Sequence, residues 1–159
     1  MVFLLTKNPY SLEYNANSAK KPEIEIFNMK NYDISLDGVT SIIFAEKFER
    51  YNSYDKMYDI EALHKDKFKL INFLVADKGL YVKNILYLDD SVKYTRSDDL
   101  LLSSNSVKYD IKNKILSSNI PFKFVKKDTI TRGNSFVYDM QKGIIKADKI
   151  KTVIRMDEK

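Results

Sequence analysis

The amino-acid sequence predicts an all-β domain of antiparallel strands, arranged as a sandwich or a barrel. Apolar and polar residues alternate with a period of two in many short stretches, as they do when one strand face meets a core and the other meets water. These stretches return at a spacing of roughly 8 to 15 residues, the cadence of strands joined by short turns. The chain also repeats itself along its second half, which points to stacked units that share one core.

The elements follow in order. Residues 1–22 are set apart as an amino-terminal tail. Met1, Val2, Phe3, Leu4 and Leu5 form an apolar run far short of the roughly 20 residues that cross a bilayer, and it suits either a disordered terminus or the last turns of a longer anchor. The stretch up to Pro22, rich in Asn, Ser, Ala and Lys without a period, reads as a linker. The folded part is assigned to residues 23–156. Tyr32, Ile34 and Leu36 alternate with Asp33, Ser35 and Asp37 as a clean strand. In residues 43–51, Phe44, Phe48 and Tyr51 would also share a helical face, but the neighbouring strands favour a strand here. Alternation returns at Phe68 and Leu70, at Val92 and Tyr94, and at Phe122 and Phe124. Short apolar stretches at residues 85–88, 100–102, 115–116, 136–138 and 144–145 complete the series.

The repeat is explicit. Ser106, Val107, Lys108, Tyr109, Asp110 and Ile111 line up with Ser135, Phe136, Val137, Tyr138, Asp139 and Met140, and the register holds on to Ser118 and Ala147. A shorter echo relates residues 91–94 to 106–109. A third relates Ala45-Glu46-Lys47, Ala76-Asp77-Lys78 and Ala147-Asp148-Lys149. A unit of about two strands that cannot bury its apolar face alone explains such a period.

Composition narrows the function. Hydrophobic residues make up 44% and aromatics 13% of 159 residues, too much for a disordered segment. The net charge is +5, yet the lysines are interleaved singly with acids, so no phosphate-tracking stripe forms and no nucleic acid partner is expected. With no cysteine and a single histidine, His64, there is no thiolate and no metal-ligand spacing, and no serine sits in a nucleophile elbow that this histidine could serve. The acid pairs Asp89-Asp90 and Asp98-Asp99 fall on opposite strand faces and read as turns. The glycines at 38, 79, 133 and 143 are too scattered for a phosphate cradle, and each reads as a positive-φ position or a bulge. A protein that is not an enzyme, with no cofactor and no metal, is the expectation.

Four segments together resemble the LptC family of lipopolysaccharide export. They are residues 32–38 with residues 42–51; Val75-Ala76-Asp77-Lys78-Gly79-Leu80-Tyr81 leading to Val92; residues 102–118; and Thr131-Arg132-Gly133-Asn134 leading to Tyr138-Asp139 and Ala147-Asp148-Lys149. Their order, more than any one motif, carries the likeness, which covers residues 22–156. The resemblance implies an open, twisted antiparallel β-jellyroll built from repeated strand pairs. It implies a non-catalytic carrier in the periplasm, anchored to the inner membrane, that takes lipopolysaccharide from the inner-membrane ABC transporter and passes it to the next, LptA-like jellyroll of a bridge.

Within that frame Phe44, Phe48, Leu74, Ala76, Leu86, Leu88, Phe122, Phe124, Phe136 and Tyr138 are expected to face a lipid groove, because each sits on an apolar strand phase. Ile144, Ile145, Ile150 and Ile154 are expected to offer the edge on which the next component docks. Two alternatives stand beside this reading. One is a soluble LptA-like bridge protein of the same pathway; the other is a β-barrel interaction module binding nucleic acid or protein.

Overall fold

The computed structural model describes residues 21–156, and no helix occurs among them. The strands are β1 (Ile24–Ser35), β2 (Gly38–Arg50), β3 (Asp55–Lys65), β4 (Ile71–Val82), β5 (Ile85–Arg96), β6 (Leu100–Asp110), β7 (Ile115–Ser118), β8 (Phe122–Lys126), β9 (Thr129–Gly133), β10 (Ser135–Asp139), β11 (Ile144–Asp148) and β12 (Lys151–Ile154). All pairings are antiparallel, and β1 to β6 each pair with the next strand in sequence. At β6 the sheet forks. Residues 100–104 pair with β8, beyond which lie β9 and β12. Residues 108–110 pair with β7, beyond which lie β10 and β11. The ensemble is an open, all-β antiparallel jellyroll: one sheet folded along a crease into two facing leaves.

The crease is written into the sequence. The ladders between successive long strands lapse at Asn28 and Glu46, at Asp59 and Asp77, and at Asp90, Ser91 and Asn105. Asn28, Asp59, Asp90 and Ser91 have φ of 53°, 49°, 62° and 53°, a left-handed conformation that Asn and Asp tolerate better than other L-residues. Each acts as a bulge that turns its strand from one leaf to the other. In the second half of the chain the same line is crossed between strands instead, at residues 119–121, at Asn134, and at Lys149 and Ile150. Pro121 has no N–H to continue a ladder. The acid pair Asp89-Asp90, read above as a turn, therefore lies mid-strand on the crease, whereas Asp98-Asp99 does lie in the β5–β6 turn.

Asn28, Asp59 and Asp90 recur every 31 residues (28 to 59 to 90), and the crease positions Asn119 and Lys149 follow at the slightly shorter steps of 29 and 30. That is the physical source of the sequence repeat. Residues 106–118 and 135–147 are the two hairpins of one leaf, called here the lower leaf, and they pair with each other through β7 and β10. The echo of residues 91–94 in 106–109 relates the two leaves: Val92 and Val107 are each buried just past the crease. In the third echo Ala45 and Ala76 are equivalent, each buried in the upper leaf just before the crease, whereas Ala147 approaches it from the lower leaf.

The core fills the crease by alternating large and small side chains. On the upper leaf the inner row runs Met29, Ala45, Ile60, Ala76, Val92, Ser104, Phe122, Gly133. On the lower leaf Ile26, Phe48, Met57, Gly79, Leu88 and Val107 follow one another. Two glycines are required by close approach. A Cβ on Gly79 would stand 2.5 Å from Ile60 Cδ1 of the opposite leaf, and one on Gly133 would stand 2.6 Å from Phe122 Cε1 and 2.9 Å from the Asp148 carbonyl oxygen. Of the four glycines, each read as a positive-φ position or a bulge, Gly38 and Gly143 have positive φ. The rings of Phe122 and Phe136 meet edge-on at 5.1 Å, tying leaf to leaf. Phe48, Leu88, Leu116, Phe136 and Tyr138 are the largest fully buried side chains, each contributing about 1.5–3 kcal/mol by burial.

Candidate functional groove

Away from the crease the leaves diverge and leave an apolar cavity of about 170 Å³. Its upper wall is Ile43, Ala62, Leu74 and Tyr94, and its lower wall is Met57, Tyr81, Leu86, Tyr109, Ile111, Leu116 and Met140, with Ile60 at the crease. The strand period explains the lining: Ile43, Ala62, Leu74 and Tyr94 stand opposite one another in register, as do Tyr81, Leu86, Tyr109 and Leu116. Polar side chains sit at the rim, among them Asp33, Thr40, His64 and Lys114. Burial and the nearby Lys114 ammonium push the His64 imidazole below its ordinary value, so it is neutral near pH 7. Burial pushes the Tyr109 phenol up to about 12, keeping it a neutral wall residue.

Toward β10 a polar network crosses the interior. Arg96 donates from Nη1 to the Tyr138 hydroxyl at 2.7 Å, and grips Asp98 with two further N–H groups at 2.7 and 2.8 Å. The guanidinium holds the Asp98 carboxyl below the usual carboxylate range, while burial pushes the phenols of Tyr94 and Tyr138 up. Tyr94 donates to the Asn72 side-chain oxygen, and the Asn72 amide donates to the backbone carbonyls of His64 and Leu70 at 3.2 and 3.3 Å. The Tyr94 and Tyr138 rings lie 6.0 Å apart, one from each leaf. Since every polar group here is partnered, the network costs little despite its burial.

The expected groove residues divide into three sets. Leu74 and Leu86 line the cavity. Phe48, Ala76, Leu88, Phe122, Phe136 and Tyr138 are buried on the same interior, closer to the crease or toward β10, and Phe124 packs half-buried against them. Phe44 is on the opposite face, in a shallow depression over the crease with Asn28, Glu46, Asp59, Glu61, Val75 and Asp77. The crease explains Phe44: it shares a strand with Phe48, and the lapse at Glu46 shifts the phase between them, so both cannot be read from one alternation. The other apolar wall residues, Ile43, Met57, Ile60, Ala62, Tyr81, Tyr94, Tyr109, Ile111, Leu116 and Met140, lie outside the expected set, although Ile43 and Ala62 follow from the two-residue period once the crease is located.

Of the expected docking edge, Ile144 and Ile145 belong to β11, and Ile154 to β12. Among the described residues these strands pair on one side only, and Ile144, Ile150 and Ile154 are exposed at 51%, 58% and 62%. The other edge is β1. The expected anchor and most of the tail fall outside the described residues. No helix among the described residues is long and apolar enough to cross a membrane, and no group of three or more acidic or histidine side chains among them could hold a metal.

None of the curated proteins matches the sequence. Among solved structures, one that the fold is similar to is LptH from Pseudomonas aeruginosa, described as the LptA homologous periplasmic component of the lipopolysaccharide transport device; it is 14% identical, with a TM-score of 0.38, over 86% of this chain and 96% of that one. The family model described as lipopolysaccharide-assembly, LptC-related matches residues 1–154. The chain therefore belongs to the LptC-related family, the non-enzymatic components of the periplasmic lipopolysaccharide transport bridge.

Proposed function

We propose that this protein carries lipopolysaccharide between the inner-membrane ABC transporter and an LptA-like jellyroll, with its acyl chains held between the two leaves. The observation that supports this most is the cavity. Its walls are aliphatic and aromatic while its rim is polar, the arrangement that suits an amphiphile whose tails enter and whose sugar and phosphate part stays in water. Each methylene withdrawn from water contributes about 0.8 kcal/mol, so transfer onward requires either a similar groove in the acceptor or work from the transporter. Leu74 and Leu86 contact the chains first, and Phe48, Ala76, Leu88, Phe122, Phe124, Phe136 and Tyr138 extend the apolar path. The edge carrying Ile144, Ile145, Ile150 and Ile154 accepts a strand of the next jellyroll, since unpaired backbone groups invite strand addition. An amino-terminal anchor would hold the domain at the inner membrane.

The test is a photoreactive residue at Leu74 or Leu86, with one at Lys93, on the outer face of the upper leaf, as control. Crosslinks to lipopolysaccharide from the two groove positions and none from Lys93 are expected. A folded protein that crosslinks equally from all three, or from none, would overturn the assignment.

A further inference from the structure

The cavity is small for its proposed cargo. An apolar void of about 150 Å³ accepts a molecule the size of benzene, and the space between the leaves is about 170 Å³. An acyl chain therefore enters only if the leaves part. The crease joins them through the backbone and acts as the hinge, so beyond the packing at the crease itself a contact placed away from it has the longer lever against parting. Arg96 and Tyr138 are placed there. Arg96, at the end of β5 in the upper leaf, donates to the hydroxyl of Tyr138, in β10 of the lower leaf.

Both ends of this link are fixed to their own leaf. Asp98 holds the guanidinium in a two-point grip, with Lys126 of β8 3.8 Å from the same carboxylate. Tyr94, against the Tyr138 ring, is tied through Asn72 to the backbone of β3. On the other side Tyr138 is 1% exposed and sits between Leu116 of β7 and Ile145 of β11. The link also borders the cavity, because Tyr94 and Leu116, which flank Tyr138, are among its walls, and from β10 the sheet leads on to β11 and its exposed edge.

We propose that Arg96 and Tyr138 form a clasp between the leaves, and that it must open before an acyl chain can advance from the cavity toward the β11–β12 edge. Tyr138 is thus a positioning residue that sets how far the cargo travels. This rests on the carrier reading given above.

The experiment follows uptake of a pyrene-labelled fatty acid by stopped-flow fluorescence, together with thermal unfolding. Tyr138→Phe keeps the ring and removes the hydroxyl. The uptake rate should rise about fivefold, the factor that one hydrogen bond of ordinary net strength sets. Asp98→Asn, which loosens the grip on Arg96, should act in the same direction and by less, and it carries the test if Tyr138→Phe does not fold. Tyr87→Phe, on the outer face, should leave the rate unchanged. Folded Tyr138→Phe and Asp98→Asn proteins that take up the probe at the wild-type rate would overturn the clasp while leaving the carrier reading in place. A wild-type protein that takes up no probe would instead overturn the carrier reading, and the clasp with it.

Discussion

The two halves of this chain solve one problem differently. From β1 to β6 each strand is 11 to 13 residues long and passes through the crease without stopping; in β1, β3 and β5 an Asn or Asp in a left-handed conformation absorbs the turn, while β2, β4 and β6 cross at Glu46, Asp77 and Asn105 with ordinary negative φ. From β7 to β12 no strand exceeds 5 residues, and the crease falls in the gaps between them. Both halves have a similar spacing, 31 residues in the first and 29 to 30 in the second, and the upper inner row runs through both. The comparison shows that the crease is set by side-chain packing between the leaves, and that backbone continuity across it is optional. Where Phe122, Gly133 and Phe136 lock the leaves together, hydrogen-bond ladders need not cross the fold line.

If packing between the leaves holds both halves, removing a buried ring from either should have the largest effect. Phe136→Ala is expected to destabilise the protein by about 4 kcal/mol, and Phe48→Ala in the long-strand half by a similar amount. Urea unfolding followed by both circular dichroism and tyrosine fluorescence checks this. A single shared transition for each variant would show one core, whereas an early separate transition in Phe136→Ala alone would show that the halves are independent units.

The two close-approach glycines sharpen the contrast. Gly133→Ala meets an aromatic ring and a backbone carbonyl that cannot withdraw, and is expected to cost about 3 kcal/mol; Gly79→Ala meets the flexible end of Ile60 and should cost about 1 kcal/mol. Equal losses in thermal melts would mean that the short-strand half yields as easily as the long.

The smallest effect is electrostatic and concerns His64 of β3. His64 is held below its unfolded value of about 6.5, so the folded state binds its proton less readily than the unfolded state. Its contribution is therefore fully present above that unfolded value and is lost as pH falls below it, toward the lower folded value. His64→Gln should flatten the stability slope in that window. An unchanged slope in melts taken from pH 7 to pH 5 would place the titration elsewhere.

The sequence was legible where a single period governs. The all-β class rests on local alternation, the strand reading of residues 43–51 on the strands around it, and the 29-residue echo on a repeated segment, and each corresponds to an observed element. Legibility failed at the crease, because one unpaired residue reverses which face is buried. Thus Phe48 belongs to the core while Phe44, four residues earlier, faces outward. The same failure hid Asp89-Asp90, whose composition suits a turn and whose position is a bulge. The start of β1 at Ile24 was also missed, since Asn28 breaks the alternation of Ile24 and Ile26 before it resumes. The polar link between Arg96 and Tyr138 could not be read at all, as it joins residues 42 apart that come together only when the leaves face one another.

The regular recurrence of the crease makes the jellyroll divisible. Because Asn28, Asp59 and Asp90 mark equivalent points, excising one whole period between two of them would remove a hairpin and still bring a large inner residue beside a small one. A gene encoding such a sheet can lengthen or shorten by duplication or loss of a single segment without reshaping its ends. Span is thereby heritable separately from the two edges that meet neighbouring molecules.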